Sequence, residues 1–380
     1  MKKLGLAKLV LGGVAVLAVA GMANAGGFSR GTADTDILYE PGNFNMRAGV
    51  TIVNPSRKFS SHVDPGLVGK NYTDMYAVPS VALKFGFFDP LACAGTYVQA
   101  YGGDVNYEGR LTPGKLKEEF TVDEFGVTCS VKFNVGKGNL HLIGGGFVEQ
   151  FNYDRTNFFS PLLPNGTLEL SGSDGGYRIG VGYEIPEIAL RAQLMYRSGT
   201  SYGASGTLSL PGPLVGAPPG VMVPIDAVGE GNLPQSVKFD FQTGIAPGWL
   251  ALASIKWTDW SVQEALVVRN AANGSIISLD PYNWKDGWTI TAGVGHAFND
   301  RVSGLVAVTW DQGVSTGYDH SSDTWTLSTG ASVKDNLGGE FRAGLGLSYL
   351  TSKSAPLAPE PSSVDSGWAF AVNGGYKFTW

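Results

Sequence analysis

The residue types that could do chemistry in this 380-residue chain are few, and their spacing argues against most of that chemistry. His62, His141, His296 and His320 are scattered, with no His-x3-His or Cys-x2-Cys pair to ligate a metal and no Gly-x-Ser-x-Gly turn to present a nucleophile. A surface hydrolase would need adjacent serine and histidine; His320 beside Ser321 and Ser322 is the candidate, and a solvated loop histidine explains the same residues. Asp34 and Asp36 bring two carboxylates without the further oxygen ligands that calcium needs, so they read as solvated or as capping an N-terminal segment. The expectation is a protein that is not an enzyme and takes no metal or cofactor. Cys93 and Cys129 lie symmetrically about residue 111, the midpoint of a predicted loop. A regular antiparallel hairpin would bring them face to face, and an oxidising compartment would bond them.

The elements that would position these residues are strands. From Trp368 to Trp380 the even positions Trp368, Phe370, Val372, Tyr376, Phe378 and Trp380 are apolar or aromatic, while the odd ones are small or polar. Period-two alternation of this kind puts one face against an apolar medium and the other against water or a polar interior. At the other end, Lys2, Lys3 and Lys8 precede an apolar run from Leu9 to Met22, followed by Ala23-Asn24-Ala25, the small-x-small pattern of a signal peptidase site. A leader at residues 1–25 is expected, with Gly26 first in the mature chain. Its removal leaves 24 Lys/Arg against 33 Asp/Glu, an acidic balance that argues against nucleic acid as a partner.

Composition narrows the class further. Charged residues are 16%, against about 25% in ordinary soluble domains, and the 54 glycines are near twice the usual share of about 7%. After the leader no run of 18 apolar residues occurs, so a membrane would be crossed by a closed β-barrel rather than by helices. Short breaks at 88–90, 135–139, 184–187, 246–248, 299–300 and 336–339 alternate with longer polar or Pro/Gly-rich stretches at about 55–74, 107–116, 155–166, 200–233, 270–282, 314–322 and 352–364. Six short turns and seven long loops make about 14 strands, the first near 45–53 and the third near 92–106. Tryptophans 249, 257, 260, 284, 288, 310, 325 and 380 fall near predicted strand ends, where interfacial girdles would lie. The reading is an all-β transmembrane antiparallel barrel over 44–380, preceded by an N-terminal segment at 26–43, in a bacterial outer membrane. A soluble sandwich or solenoid with core aromatics is the alternative.

Three motifs then carry a resemblance. Leu233-Pro234-Gln235-Ser236 opens one strand, Trp257-Thr258-Asp259-Trp260-Ser261 lies on the next, and Tyr282-Asn283-Trp284-Lys285-Asp286-Gly287-Trp288 opens a third. This stretch resembles the FadL-type outer-membrane transporters of long-chain fatty acids and other hydrophobic compounds. The resemblance implies a 14-stranded barrel with an N-terminal hatch folded into its lumen. The family's Asn-Pro-Ala motif corresponds here to Glu40-Pro41-Gly42, in which only the proline stands, and the segment is shorter than the usual hatch. Phe28, Ile37, Leu38, Tyr39 and Pro41 are the residues expected to line or hold this gate, Pro41 because its fixed φ can hold a turn. The resemblance also implies a kinked strand that opens a lateral hole in the wall. Gly102 and Gly103, inside the predicted third strand, are the candidates, with close packing as the alternative. Gly144-Gly145-Gly146 and Gly175-Gly176 read as room for luminal side chains or for a tight bend.

The stretch at 200–230 strings Leu208, Leu210, Leu214, Val215, Val221, Val223 and Ile225 among Pro and Gly. A loop this apolar in water is costly, so it either touches hydrophobic ligand or extends a hairpin against its neighbours. The polar faces of the strands read as mostly Gly, Ser, Ala and Thr with few charges, unlike a porin constriction. The leading expectation is passive transport of a hydrophobic small molecule by a monomer set in outer-membrane lipid and lipopolysaccharide, its last strand read by the barrel assembly machinery. A surface adhesin or structural protein and a general diffusion porin are the rivals.

Overall fold

Alternating side chains along a strand become an inside and an outside only once the sheet closes, and here it closes. The computed structural model describes residues 26–380, so the leader expected at 1–25 lies outside them. Fourteen antiparallel strands form the wall: β1 (Phe44–Ser56), β2 (Tyr76–Phe88), β3 (Leu91–Asn106), β4 (Gly114–Val135), β5 (Gly138–Phe158), β6 (Gly166–Ile185), β7 (Leu190–Arg197 and Thr200–Pro211), β8 (Met222–Leu233 and Ser236–Ala246), β9 (Trp249–Thr258 and Ala265–Asn270), β10 (Ile276–Pro281 and Gly287–Ala297), β11 (Val302–Asp311), β12 (Thr324–Lys334), β13 (Gly339–Leu350) and β14 (Gly367–Thr379). β14 pairs with β1 from Trp368 opposite Ser56 to Thr379 opposite Asn45, which removes the free edges. The helical content among the described residues is five short 3₁₀ helices, Thr35–Tyr39 being the longest.

The outer surface is apolar. On β14, Trp368, Phe370 and Val372 are 49%, 63% and 56% exposed, while their neighbours Ala369 and Ala371 are buried. Aromatics ring the barrel at two heights. Toward the long loops, Trp257 pairs with Trp288, Trp310 with Trp325, Trp325 with Tyr349 and Tyr349 with Trp368. Toward the short turns lie Phe44 against Phe85, Phe341 against Tyr376, and Trp249, Phe298 and Trp380. Trp368 and Phe378 are ten residues apart. That is roughly 33 Å of strand, which at a tilt near 45° spans about the 25 Å of an outer-membrane apolar band.

The six short turns stand where the sequence puts them, and Cys93 sits opposite Cys129 in a bonded pair with S–S 2.06 Å, close to the β2–β3 turn. Two expectations are corrected. Most of 200–233 is wall rather than loop: Thr200 to Pro211 pair with Met222 to Leu233, and only 212–221 turns. Trp260 and Trp284 belong to the interior, not to a girdle, because a 3₁₀ turn at Trp260–Val262 puckers β9 inward. Outside the wall, short strands Phe59–His62, Lys353–Ala355 and Ser362–Val364 make a small sheet in the loops.

Candidate functional site

The N-terminal segment runs down the lumen from the loop end to the turn end and meets the wall at several points along its length. Phe28 inserts into a nest of rings: centroids lie 4.5 Å from Phe120, 4.5 Å from Trp284, 5.3 Å from Tyr282 and 6.1 Å from Trp260. Lower down, Ile37 and Leu38 are buried against Ala82, Ala94, Ile143 and Met195, and Tyr39 lies 4.5 Å from His141 with the Arg191 guanidinium over its ring. Charges fasten the lower half. Arg47 of β1 donates to both oxygens of Asp34 at 2.8 Å and to Glu40; Arg191 of β7 pairs with Asp36 at 2.9 Å; Lys377 of β14 pairs with Glu40 at 2.5 Å. Burial would raise the Glu40 carboxyl, but Arg47 and Lys377 outweigh it and hold it at about 2. Asp34 and Asp36 are thus partly exposed but ion-paired to the wall, and the Asp34 side chain makes no cap bond to the 3₁₀ turn that follows it. Pro41 ends the segment where Asn45 Nδ2 donates to its carbonyl at 2.8 Å.

The wall is interrupted beside this segment. Pairing of β2 with β3 stops at Ser80 opposite Val98, and Tyr76 to Pro79 remain bonded to β1 alone. A bulge at Ala100 shifts the β3–β4 register between Gln99 and Tyr101. The ladder groups left over on β3 are taken by the N-terminal segment: Arg30 N donates to Ala100 O and Gly102 N to Phe28 O, each at 2.9 Å. The segment acts as a substitute strand, with the Arg30 guanidinium 4.1 Å from the Tyr76 ring and bonded to Gln99 at 2.8 Å and to Asp104. Above it the seam closes again through Thr73 and Val105. Gly102 and Gly103 face this plug: an added Cβ at Gly102 would lie 2.6 Å from the Arg30 guanidinium, and one at Gly103 2.7 Å from the Phe120 ring. Below the gap, Gly95, Gly146 and Gly175 leave an apolar furrow of about 810 Å³ on the outer wall, walled by Val81, Tyr97, Phe125, Val148 and Tyr177.

Inside, two layers differ in chemistry. The loop-side half is apolar, filled by Val98, Tyr101, Phe120, Phe151, Tyr202 and Trp260 with their neighbours. Beneath it lies a charged belt, which the strand composition did not announce. Glu124 pairs with Arg178 and Arg197, Glu149 with Arg197 and Thr200 Oγ1, and Lys238 with Asp240. Glu124, Arg178, Arg197, Lys238, Asp240 and Lys256 line a cavity of about 110 Å³ next to residues 31–36 of the segment.

Residues 43–313 match the family model for outer membrane protein transport proteins of the OMPP1/FadL/TodX type. The chain belongs to this family. A solved FadL homologue from Pseudomonas aeruginosa shares the fold with a TM-score of 0.74 at 14% identity, covering 88% of this chain and 90% of that one. The Pseudomonas putida toluene transporter TodX aligns with a TM-score of 0.63 at 12% identity over 94% and 96% of the two chains. In sequence, the long-chain fatty acid transport protein of Salmonella typhi is 23% identical over 155 residues, 39% of this chain and 35% of that relative's length. Membership places the protein in the bacterial outer membrane, and the family is one of transporters rather than enzymes.

Against this FadL-type frame the remaining site residues fall into place. In the hairpin joining β7 and β8, Leu208 is buried and Leu210 and Ile225 pack on the luminal cluster, while Leu214 and Val221 at the tip are exposed. Val223 is half-buried, opposite Leu210. His320 faces Ser362 Oγ at 3.2 Å rather than Ser321 or Ser322, and burial beside Arg57 pulls it down to about 4. With the cation Arg57 rather than a carboxylate near its ring, it packs against Phe59 and Tyr72 in the loops. Of the glycines read as room for luminal side chains or a tight bend, Gly176 makes way for the buried Phe147 ring and Gly145 lets the backbone close on Val127 O, where a Cβ would lie 2.2 Å away, whereas Gly144 and Gly146 have space to spare. Missed from the sequence were Arg30 and Ala100. Pro79, which has no N–H to give a ladder, was the available signal for the broken seam.

Proposed function

We propose that this protein carries hydrophobic small molecules across the outer membrane by passive diffusion, with the N-terminal segment as gate and the β2–β3 seam as exit. The observation that carries this is the seam itself: a wall gap whose edge is bonded to the N-terminal segment rather than to a neighbouring strand. The exposed tip residues Leu214 and Val221 offer a first apolar contact, and the luminal cluster below them a continuous greasy path. A solute that displaces Phe28 and Arg30 reaches the gap and the furrow outside it, so it passes to lipid without crossing the charged belt. No energy source is needed, since partition from one apolar environment to another runs downhill. The names of its relatives point to fatty acids and to toluene, and both chemistries fit this path. The protein acts as a monomer surrounded by lipid and lipopolysaccharide, and its last strand is the one offered to the assembly machinery.

A diffusion porin is favoured by one feature, the charged belt. Its acids and bases are largely neutralised by each other and lie beneath an apolar plug, which disfavours a water-filled passage. Uptake into proteoliposomes separates the two: long-chain fatty acid and toluene should enter faster with the protein than without, and a sugar should not. Deleting residues 29–38 should leave an inserted barrel with increased ion leak and lost ligand dependence. Faster sugar entry with no effect on either hydrophobic solute would overturn the proposal.

A further inference from the structure

The loop end of the lumen is roofed by two different chemistries. On one side the loops make a folded body: Phe59, Leu67, Tyr72 and Val364 share a buried apolar core, and the Arg57 side chain donates to His320 O at 2.7 Å, to Ser322 Oγ at 2.8 Å and to Thr351 O. Arg110 joins this body through Glu360 at 2.8 Å. On the other side the closure is ionic. Ile276–Pro281 of β10 is laddered to β9, and the β10–β11 ladder begins only at Thr289 opposite Asp311. From this stretch Asp280 and Ser278 meet β4 and β5, which stand five and six strands away round the wall. Arg155 Nη1 donates to Asp280 Oδ2 and to Ser278 Oγ, each at 2.9 Å, and Lys115 Nζ lies 3.5 Å from Asp280 Oδ1. Lys115 also pairs with Glu118 at 2.5 Å, and Tyr153 Oη donates to Glu118. The Lys115, Glu118, Arg155 and Asp280 side chains are only 17%, 12%, 14% and 19% exposed. Tyr153, Leu266, Val268 and Tyr282 of the apolar luminal cluster adjoin them, and Val268 lies opposite Ser278 in the ladder.

We infer that this ionic roof is the entry gate for hydrophobic solute, opening where Arg155 and Lys115 part from Asp280. The two halves of the roof differ in what parting them costs. Separating an apolar core exposes its area to water with no compensation. Separating an ion pair returns both charges to water, and their solvation offsets much of the lost attraction. The ionic half therefore parts first, and what it uncovers is the apolar part of the lumen rather than the charged belt. Ile276 and Leu279, exposed on the same stretch of β10, stand at its rim as apolar contacts for an arriving solute. Two cations face two carboxylates, so the roof closes without net charge. Its role as an entrance rests on the transport reading above; its parting does not.

The test uses the full-length protein in cells and in proteoliposomes. Val268 is 1% exposed, so Val268→Cys places a thiol under the roof. Cys93 and Cys129 are bonded to each other, and a membrane-impermeant maleimide therefore reads this site alone. Labelling should be at least about tenfold faster in Val268→Cys/Asp280→Asn than in Val268→Cys, because losing bonds between charged partners shifts the closed-to-open ratio by about that factor. Arg155→Gln in place of Asp280→Asn should act in the same direction, and it decides if Asp280→Asn does not insert. Initial uptake of long-chain fatty acid should rise in parallel in Asp280→Asn with Val268 intact. Equal labelling with and without the roof substitution would overturn the inference. So would faster labelling with unchanged uptake, which would put the entrance elsewhere. If wild type carries no hydrophobic solute into proteoliposomes, the transport reading fails and the entry role with it, while labelling still decides whether the roof parts.

Discussion

Replacing Phe28 by alanine isolates the upper anchor of the segment without touching its lower charges. The ring is half-buried and meets Phe120, Trp260, Tyr282 and Trp284 within 6.1 Å or less. Truncating a buried phenylalanine costs 3–5 kcal/mol in soluble cores, and partial exposure places Phe28 at the low end, about 3 kcal/mol. Because each 1.4 kcal/mol is tenfold in an equilibrium constant, the ratio of seated to unseated segment should fall about 100-fold. Arg47, Arg191 and Lys377 still hold Asp34, Asp36 and Glu40, so unseating is confined to the part beside the seam. Single-channel recording in planar bilayers should show more frequent open events. Hydrogen exchange at Gly102, whose N–H is bonded to Phe28 O, should accelerate in parallel. Phe28→Leu, which keeps much of the apolar volume, should fall between the two. Unchanged exchange at Gly102 together with unchanged conductance would refute the reasoning, because it would mean that the ring nest does not hold the segment.

Other outcomes follow from the same geometry. Deleting 378–380 removes the pairing of Phe378 and Thr379 with β1 and should lower the yield of heat-modifiable, membrane-inserted protein; normal insertion would reject a role for the terminal aromatics in closure. Alkylation of denatured, non-reduced protein should modify neither Cys93 nor Cys129, and labelling of both would show the pair unbonded. Asp64 in the 57–75 loop accepts from Gly66 N, Leu111 N, Thr112 N and Thr112 Oγ1. Burial would raise its carboxyl, but these bonds pull it down to about 2. A depressed carboxyl stabilises in full above its ordinary value of 3.8 and loses that contribution as pH falls toward 2. Protease nicking of this loop should therefore rise below pH 4 in wild type and be high at all pH in Asp64→Ala; equal resistance of the two at pH 7 would contradict this.

What the sequence by itself determined here follows from local and periodic physics. Period two on β14, the alternation of short and long breaks and the absence of long apolar helices lead to a closed 14-stranded barrel, because lipid accepts no unpaired backbone. The Cys93–Cys129 pairing was equally legible, since hairpin register is arithmetic about a turn. The site was not. Residues 200–211 and 222–233 looked like an apolar loop because a strand facing a greasy lumen on one side shows no clean polar face. Trp260 and Trp284 looked like girdle residues because ring chemistry is the same at an interface as in a lumen, and only the inward pucker of β9 separates them. The charged belt is dispersed over β4 to β9, one or two residues per strand, and becomes a cluster only when the wall curves round. The bulge at Ala100 and the substitution of residues 28–31 for a strand depend on contacts about 70 residues apart. No local propensity encodes such a contact; closure of the barrel around its own N-terminal segment decides it.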